Sequence, residues 1–428
     1  MKNKLVLKLI IFFIFISFLP SVAQENKETN NTEELSGKVN GIDENVTTLL
    51  TDVAGLKKLK ITGYLQFQFE KSEVAKGVSM SPYDSSDFVQ SRFRVRRGRV
   101  KVTYDAGITQ FVFQGDFTPG GFSLKDFYLN ITDPWTKMFD LTVGQFNRPT
   151  YEVEYSSSVR EAPERSLLCR TLYPNERDLG AMLSFNPEGL FKLQLAAFNN
   201  TFLSDVAQNN PNFRDANLYY MARLTKELKV TDDLGIDFGA HTRLGSVRSN
   251  SNMIISSDVP TKAANNLLDS SASNYGSNLS KNWFGGEIQI YWDAPVIGGT
   301  KLLGEYITGS SVDELPAATT SLAARKIRKR EFAGFYIMLV KTISTDWQIA
   351  ARMDQYNPNT KIDITKVDNS NDLTQTTIGF GIHNYTFDNC RITLWYDMPK
   401  YKTTTAPNNL MITSPNLNLM TLRLQYKF

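Results

Sequence analysis

The residues best placed to do chemistry are six cations between positions 92 and 101. They form two sets of opposite strand parity: Arg92, Arg94 and Arg96 in one, and Arg97, Arg99 and Lys101 in the other. Guanidinium and ammonium groups attract anions and pair with carboxylates, so the chemistry they offer is electrostatic. A regular strand would turn the two sets to opposite faces. We therefore expect either a β-bulge near residues 96 and 97 or a strand that rises out of apolar surroundings.

A second group of charges lies in the segment 147–178, which is more than thirty residues long and has no clear periodicity. It carries, among other charges, Arg160, Glu161, Glu164, Arg165, Arg170, Arg177 and Asp178. A segment of this length without regular structure is uncommon unless it has a function.

The elements that must position these charges alternate apolar and polar residues. Leu65 and Phe67, for example, share one parity, while Gln66 and Gln68 share the other. Similar segments recur about sixteen times between residues 59 and 428, and beyond residue 23 no apolar run approaches the roughly 20 residues of a membrane helix. The pattern predicts an all-β chain that forms a transmembrane antiparallel β-barrel of about sixteen strands.

Connector lengths support this count independently. Tight turns at 105–107, 133–136 and 186–189 alternate with long polar loops such as 71–88 and 248–280. The link 118–121 is short where a long one is expected. Short periplasmic turns and longer outside loops are typical of outer-membrane barrels, and an even strand count places both termini on the periplasmic side.

Both chain ends agree with an outer-membrane location. Lys2, Lys4 and Lys8 accompany an apolar run over 10–19, and Ala23 ends a cleavage motif, which predicts a signal peptide over 1–23. The last strand ends at Phe428 and resembles the terminal signature of bacterial outer-membrane barrels. This resemblance implies insertion by the barrel-assembly machinery into the outer membrane of a Gram-negative bacterium.

Between these regions, residues 24–58 carry a heptad-like apolar seam. Leu35, Val39, Ile42, Val46 and Leu49 follow alternating spacings of four and three. We expect a short periplasmic helix or coiled coil that joins neighbouring barrels, or a marginal helix that serves as a tether. The barrel itself is expected over 59–428.

Closure of the strands makes the interior the functional site. In hydrocarbon every backbone N–H and C=O must be paired within the protein, so an open sheet edge is excluded. About sixteen strands enclose an interior too wide for side chains to fill, which predicts an aqueous channel. Parity and charge give these pore-lining candidates: Arg92, Arg94, Arg97, Arg99, Lys101, Asp116, Asp126, Arg223, Arg243, Arg352, Arg391 and Arg423.

Several motifs together resemble the phosphate-selective porin O and P family. They are 88–101 (FVQSRFRVRRGRVK), 113–117 (FQGDF), 124–129 (LKDFYL), 143–149 (VGQFNRP), 164–167 (ERSL) and 351–354 (ARMD). The resemblance spans roughly residues 60–428 and is strongest over the first third. It implies a homotrimeric sixteen-stranded porin whose third outside loop folds inward as a constriction. The constriction residues would then be Arg160, Glu161, Glu164, Arg165, Arg170 and Arg177.

Selectivity is open to two interpretations. Removal of the signal peptide removes three of the 47 basic residues and none of the 44 acidic ones, so the mature chain is formally neutral. We therefore expect no nucleic-acid partner. A basic run over 325–330 and the wall arginines favour anions such as phosphate, but parity also places Glu70, Glu287, Glu305 and Asp354 in the lumen. We expect a channel for small hydrophilic solutes that is general or mildly anion-preferring.

Enzymatic readings have little support. His241 and His383 are the only histidines and lie on separate predicted strands, which excludes a multi-histidine metal site. We expect both to be wall residues, with no cofactor, no metal and no catalytic group. Cys169 and Cys390 have different contexts, so we do not expect a disulfide. The alternative function is an outer-membrane structural or adhesin barrel without an open channel.

Overall fold

The computed structural model describes residues 55, 57–73, 90–201, 214–256, 268–294, 298–315, 326–361, 374–402 and 418–428. The expected signal peptide (1–23) lies outside these residues. Nearly all of the expected coiled coil (24–58) also lies outside them.

Within the described residues, sixteen antiparallel strands form a closed barrel. They are β1 (Leu59–Ser72), β2 (Ser91–Asp105), β3 (Thr109–Thr118), β4 (Gly121–Thr132), β5 (Phe139–Asn147), β6 (Arg177–Phe185), β7 (Lys192–Thr201), β8 (Arg214–Lys229), β9 (Leu234–Leu244), β14 (Trp283–Ala294), β15 (Gly298–Leu315), β16 (Lys326–Thr342), β17 (Trp347–Asn357), β18 (Gln375–Asn384), β19 (Cys390–Tyr401) and β20 (Leu419–Lys427). Four short strands lie between β9 and β14: β10 (Ser246–Arg248), β11 (Met253–Ser256), β12 (Leu268–Asp269) and β13 (Asn278–Ser280). Each barrel strand pairs with the next, and β20 pairs with β1, so the predicted fold class is confirmed.

The two faces of the wall follow the predicted alternation. On β20 the side chains of Thr421, Arg423 and Gln425 are buried, whereas Leu422 and Leu424 are exposed on the outer face. The buried polar side therefore faces the barrel interior. A cation turned outward near the bilayer midplane would cost about 2 to 4 kcal/mol, which explains why the charges collect inside.

The seam between the first and last strands is sealed by the terminal aromatic residue. Phe428 donates its N–H to the carbonyl of Gly63 at 3.1 Å, and Gly63 donates to the carbonyl of Phe428 at 3.0 Å. A Cβ on Gly63 would lie only 2.4 Å from the Phe428 ring. Glycine at this position therefore lets the aromatic ring cover the seam.

The cation-rich strand β2 contains the predicted bulge. Gln66 pairs with Arg97 and Phe67 pairs with Val95, which leaves Arg96 without an opposite residue on β1. The extra residue reverses the parity at this point. Cations on both sides of the bulge consequently face the interior.

Two boundaries differ from the sequence-based expectation. Arg177 begins β6 instead of belonging to the preceding loop, because the backbone pairing of β5 with β6 extends to Asn147 and Arg177. The basic run was not assigned to a strand, yet residues 326–330 belong to β16; they pair with β15, and residues 326–329 also pair with β11. Arg328 and Arg330 are half-buried there, and Lys329 is exposed.

Candidate functional site

The connection between β5 and β6, residues 148–176, is here called the inner loop. It contains two short helices, α1 (Tyr151–Glu154) and α2 (Leu167–Leu172). The Ser166 hydroxyl caps α2 by accepting the N–H of Cys169 at 3.1 Å, and the Glu152 carboxylate accepts the N–H of Ser166 at 2.6 Å. Across the described residues, no helix combines the length and apolar character needed to cross a membrane.

One side of the inner loop packs on apolar residues of the wall. The loop contributes Leu168, Cys169, Leu172 and Tyr173 to a buried cluster. The wall contributes Phe198, Tyr219, Met221, Trp283, Ile307, Phe332 and Tyr356. Each buried apolar side chain of this size contributes about 1.5 to 3 kcal/mol, so this cluster anchors the loop.

Cys169 is part of that anchor. Burial, together with the nearby Glu152 carboxylate, raises the pKa of its thiol well above the ordinary value. Both Cys169 and Cys390 are free thiols. A buried, protonated thiol behaves as a small apolar group, so Cys169 serves packing.

The other side of the inner loop is held by polar side chains from β1, β17, β19 and β20. These side chains donate to a run of loop carbonyl groups: Gln66 to Ser157 (2.9 Å), Gln425 to Ser158 (2.9 Å), Arg391 to Arg160 (3.0 Å), Arg423 to Pro163 (2.8 Å) and Arg352 to Glu164 (2.6 Å). The apolar anchor and these donors lie on different parts of the wall. The loop therefore extends between them and contacts inward-facing side chains on both.

Three guanidinium groups contact or approach the carboxylate of Glu164 in the inner loop, and a fourth, that of Arg160, lies nearby; together the four are called the arginine cluster. Arg96 binds Glu164 through two hydrogen bonds of 2.6 and 2.7 Å, while Arg97 and Arg423 approach it at 3.6 and 3.5 Å. Arg160, fully buried in the loop, supplies the fourth group. Burial raises the pKa of Glu164, but Arg96, Arg97 and Arg423 outweigh it and hold this pKa well below its usual range.

Some N–H groups near the arginine cluster have no protein acceptor. Among the described residues, Arg97 Nε, Arg160 Nη1 and Arg391 Nε are buried without a hydrogen-bond partner. An unsatisfied buried donor costs roughly 1 to 3 kcal/mol, and more when it is charged. Water or an anionic solute is the natural acceptor for such donors.

The other predicted wall cations are mostly paired. Arg99 binds Asp116 at 3.1 Å, and Arg352 approaches Asp354 at 3.1 Å. Arg92 pairs with Glu70 at 2.7 Å, and Arg94 approaches the same carboxylate at 3.8 Å. Lys101 is half-buried on the same strand. Carboxylates of the wall thus neutralise these cations in part.

Two predicted cations lie away from the arginine cluster, on β8 and β9. Arg223 binds Glu287 at 2.6 Å and also contacts Glu154 of the inner loop. Arg243 stacks on Trp283, with its guanidinium carbon 4.8 Å from the ring centroid. Arg243 is therefore a packing residue, while Arg223 joins the wall to α1.

The predicted loop residues divide into two groups. Glu161 contacts Lys301 of the wall and accepts the Tyr155 hydroxyl at 2.9 Å. Arg165 donates to the carbonyl groups of Glu152 and Val153 at 2.8 and 2.9 Å, and Arg170 donates to the carbonyl of Arg165 at 3.1 Å. Glu161 thus joins the loop to the wall, whereas Arg165 and Arg170 stabilise the loop itself.

Arg177 and Asp126, from the two predicted lists, pair with each other at 2.6 Å. Sequence reasoning did not include Arg96 among the pore-lining residues, although Arg96 makes the strongest contact with Glu164. The expected bulge is the signal that would have identified it. Glu154 and Lys301 were also missed. Nothing in the sequence indicated that Glu154 of the inner loop contacts Arg223 of the wall, or that Lys301 of the wall contacts Glu161 of the loop.

Family comparison agrees with this architecture. Residues 323–428 match the model of the family described as phosphate-selective porin O and P. The expected resemblance to this porin family is confirmed. The match covers the last quarter of the chain, whereas most motifs that carried the resemblance lie in the first third. None of the curated proteins matches the chain in sequence.

Solved structures share the fold at low sequence identity. The outer membrane channel DcaP of Acinetobacter baumannii is 11% identical, with 86% of this chain and 97% of that chain covered and a TM-score of 0.57. OprB of Pseudomonas putida is 9% identical, with 88% of this chain and 96% of that chain covered and a TM-score of 0.57. OmpF of Salmonella typhi, in complex with daunomycin, is 9% identical, with 86% of this chain and 97% of that chain covered and a TM-score of 0.51. Together with the family match over residues 323–428, the shared fold supports a porin channel in an outer membrane.

Proposed function

We propose that this protein is an outer-membrane porin that lets small hydrophilic solutes diffuse through its barrel and prefers anions, with phosphate among them. The observation that carries the proposal is the arginine cluster. Three guanidinium groups lie at one carboxylate and a fourth lies nearby, so the site keeps an excess of positive charge in a region largely removed from water. Electrostatic interactions are stronger in such surroundings than in bulk water.

The inner loop is the proposed constriction. Its backbone is held on one side by the apolar anchor and on the other by donors from β1, β17, β19 and β20. A loop fixed at both sides narrows the interior and brings solutes past Glu164, Arg97 and Arg160. Arg97 and Arg160 are buried, so their positive charges attract a passing anion through their electric field and not by direct contact.

The remaining parts of the proposal concern assembly. Residues 1–23 are the proposed signal peptide, residues 24–58 the proposed periplasmic coiled-coil-like segment, and the homotrimer the proposed oligomer. The exposed apolar face of the strands contacts lipid. The C-terminal strand, sealed by Phe428, is the proposed signal for the barrel-assembly machinery.

A planar-bilayer experiment with the purified protein tests the function. We expect stepwise conductance, a reversal potential in a KCl gradient that favours chloride, and a decrease of the chloride current when phosphate is added. Stepwise conductance without ion preference would indicate a general porin. Silent protein that still migrates as a folded barrel would refute the channel and favour a structural or adhesin barrel.

A further inference from the structure

A second buried cluster of charged and polar groups lies away from the arginine cluster, on three neighbouring strands. It consists of His241 on β9, Glu287 on β14 and Glu305 on β15, here called the His–Glu cluster. His241 Nε2 is 2.9 Å from a carboxylate oxygen of Glu305, and one candidate ligand atom from each residue lies within 4.8 Å of the other two. The three side chains are at most 2% exposed.

The wall makes room for this arrangement at Gly285. His241 pairs with Gly285 across β14, and Gly285 in turn pairs with Ile307 on β15. A Cβ on Gly285 would lie 2.2 Å from His241 Nε2, which no side chain permits. The imidazole therefore leans over the glycine to reach Glu305, two strands away from its own backbone.

The two carboxylates of the His–Glu cluster have few partners among the described residues. Glu287 and Glu305 are directly opposite each other on neighbouring strands, where like charges destabilise a sheet. Arg223 binds Glu287 through both of its carboxylate oxygens, at 2.6 and 3.1 Å, but Arg223 also binds Glu154. Two carboxylates thus share the guanidinium of Arg223, and His241 is the partner observed for Glu305.

Within the described residues, the imidazole nitrogens of His241 make no hydrogen bond outside the cluster. Its Nε2 faces Glu305, and within the described residues its buried Nδ1 has no hydrogen-bond partner. Nε2 is therefore the ring nitrogen of His241 that faces the carboxylates of the cluster. One ring nitrogen and two carboxylates are a ligand set suited to a divalent transition-metal cation.

We propose that the His–Glu cluster binds one divalent transition-metal cation of the Zn²⁺ type, with His241, Glu287 and Glu305 as its ligands. Two carboxylates balance the charge of the cation, and a water molecule completes four-coordination. The site is separate from the proposed anion path at Glu164. Its existence therefore does not depend on the channel function.

The test is calorimetric titration of Zn²⁺ into the chelator-treated full chain in detergent. We expect one saturable site per chain. His241→Gln and Glu305→Gln should each weaken Zn²⁺ binding at least about tenfold, because each removes a ligand. The matched control is His383→Gln, which alters the other histidine; His383 is buried and lies 2.9 Å from the Thr393 hydroxyl, and its loss should leave Zn²⁺ affinity unchanged.

Co²⁺ gives a second measurement, since its visible absorption reports nitrogen and oxygen ligands directly. Folding of every variant is checked by its faster migration on gels before heating, and the isosteric Glu305→Gln substitution serves if His241→Gln does not fold. The proposal is overturned if the wild-type chain has no saturable site. It is equally overturned if the folded His241 or Glu305 variant binds as tightly as wild type, or if His383→Gln weakens binding as much as they do.

Discussion

Replacement of Glu164 by Gln is the sharpest test of the anion path. The pKa of Glu164 is held well below its usual range, so the carboxylate is ionised at neutral pH and the substitution removes a full negative charge. The amide keeps the shape of the side chain and retains one acceptor for Arg96. Four guanidinium groups then act on a passing anion without an opposing carboxylate.

The size of the effect follows from the distance over which that charge acts. For a solute ion roughly 8 Å from Glu164, one unit charge contributes about 0.5 to 2 kcal/mol over the range between bulk water and a protein surface. Part of this is lost to screening at 0.1 M salt. We therefore expect the chloride-to-potassium permeability ratio to rise about two- to fivefold at 0.1 M salt, and by less than about 1.5-fold at 1 M.

The assay is the reversal potential of single channels in a KCl gradient, measured for the variant and wild type at both salt concentrations. Glu188→Gln is the matched control, because Glu188 is exposed in the short turn 186–191 and carries the same charge. A folded Glu164→Gln channel with the wild-type ratio at 0.1 M would show that ions do not pass near the inner loop. An equal rise in the Glu188 variant would show that the effect is not local.

Three further outcomes follow from the same geometry. Replacing Arg97, Arg99 and Lys101 together with Ser should shift the reversal potential toward cations, more at low salt; an unchanged ratio at both salt concentrations would make these cations structural partners of the wall carboxylates. Deleting Phe428 should reduce the amount of heat-modifiable barrel in the membrane far more than it changes ion preference, because the aromatic ring seals the seam; normal membrane levels would contradict this. Because the pKa of Glu164 is lowered, its ion pair with Arg96 stabilises the fold above the unfolded-state pKa of about 4.3 and is lost only as pH falls through the folded value. The difference in melting temperature between wild type and Glu164→Gln should then stay constant from pH 7 to 5 and shrink below about pH 4.

The barrel could be predicted from the sequence because polar and apolar side chains alternate along each strand of a membrane wall with a period of two. On β20 the buried Arg423 and the exposed Leu422 and Leu424 follow that rule residue by residue. The bulge at Arg96 was also predictable, since two sets of cations of opposite parity cannot share one regular face. Both conclusions depend on local spacing alone.

The interior was predicted less well, because parity assigns a residue to a face but not to a neighbour. Trp283 and Phe332 are large apolar residues, yet both face inward and pack against the inner loop. That loop has no periodicity, and its two helices are only four and six residues long. Its position depends on contacts with residues nearly two hundred positions away, such as that between Arg352 and Glu164.

The same limit explains why His241 was read as a wall residue. It lies 64 positions from Glu305, and only the strand register together with the missing side chain at Gly285 brings the two groups together. A search for closely spaced histidines cannot find a site whose ligands come from three neighbouring strands.

Arg223 connects the two proposals of metal binding and ion selection. Its guanidinium bridges Glu287 of the His–Glu cluster and Glu154 at the end of α1 in the inner loop. A metal cation that takes Glu287 as a ligand competes with Arg223 for that carboxylate. Arg223 would then interact more strongly with Glu154. The metal would then tighten the contact between the wall and the proposed constriction. In bilayers we expect Zn²⁺ to change the single-channel conductance of wild type and of His383→Gln, and to leave that of His241→Gln unchanged. If Zn²⁺ binds in the titration but alters no current, the metal site exists without control over the channel.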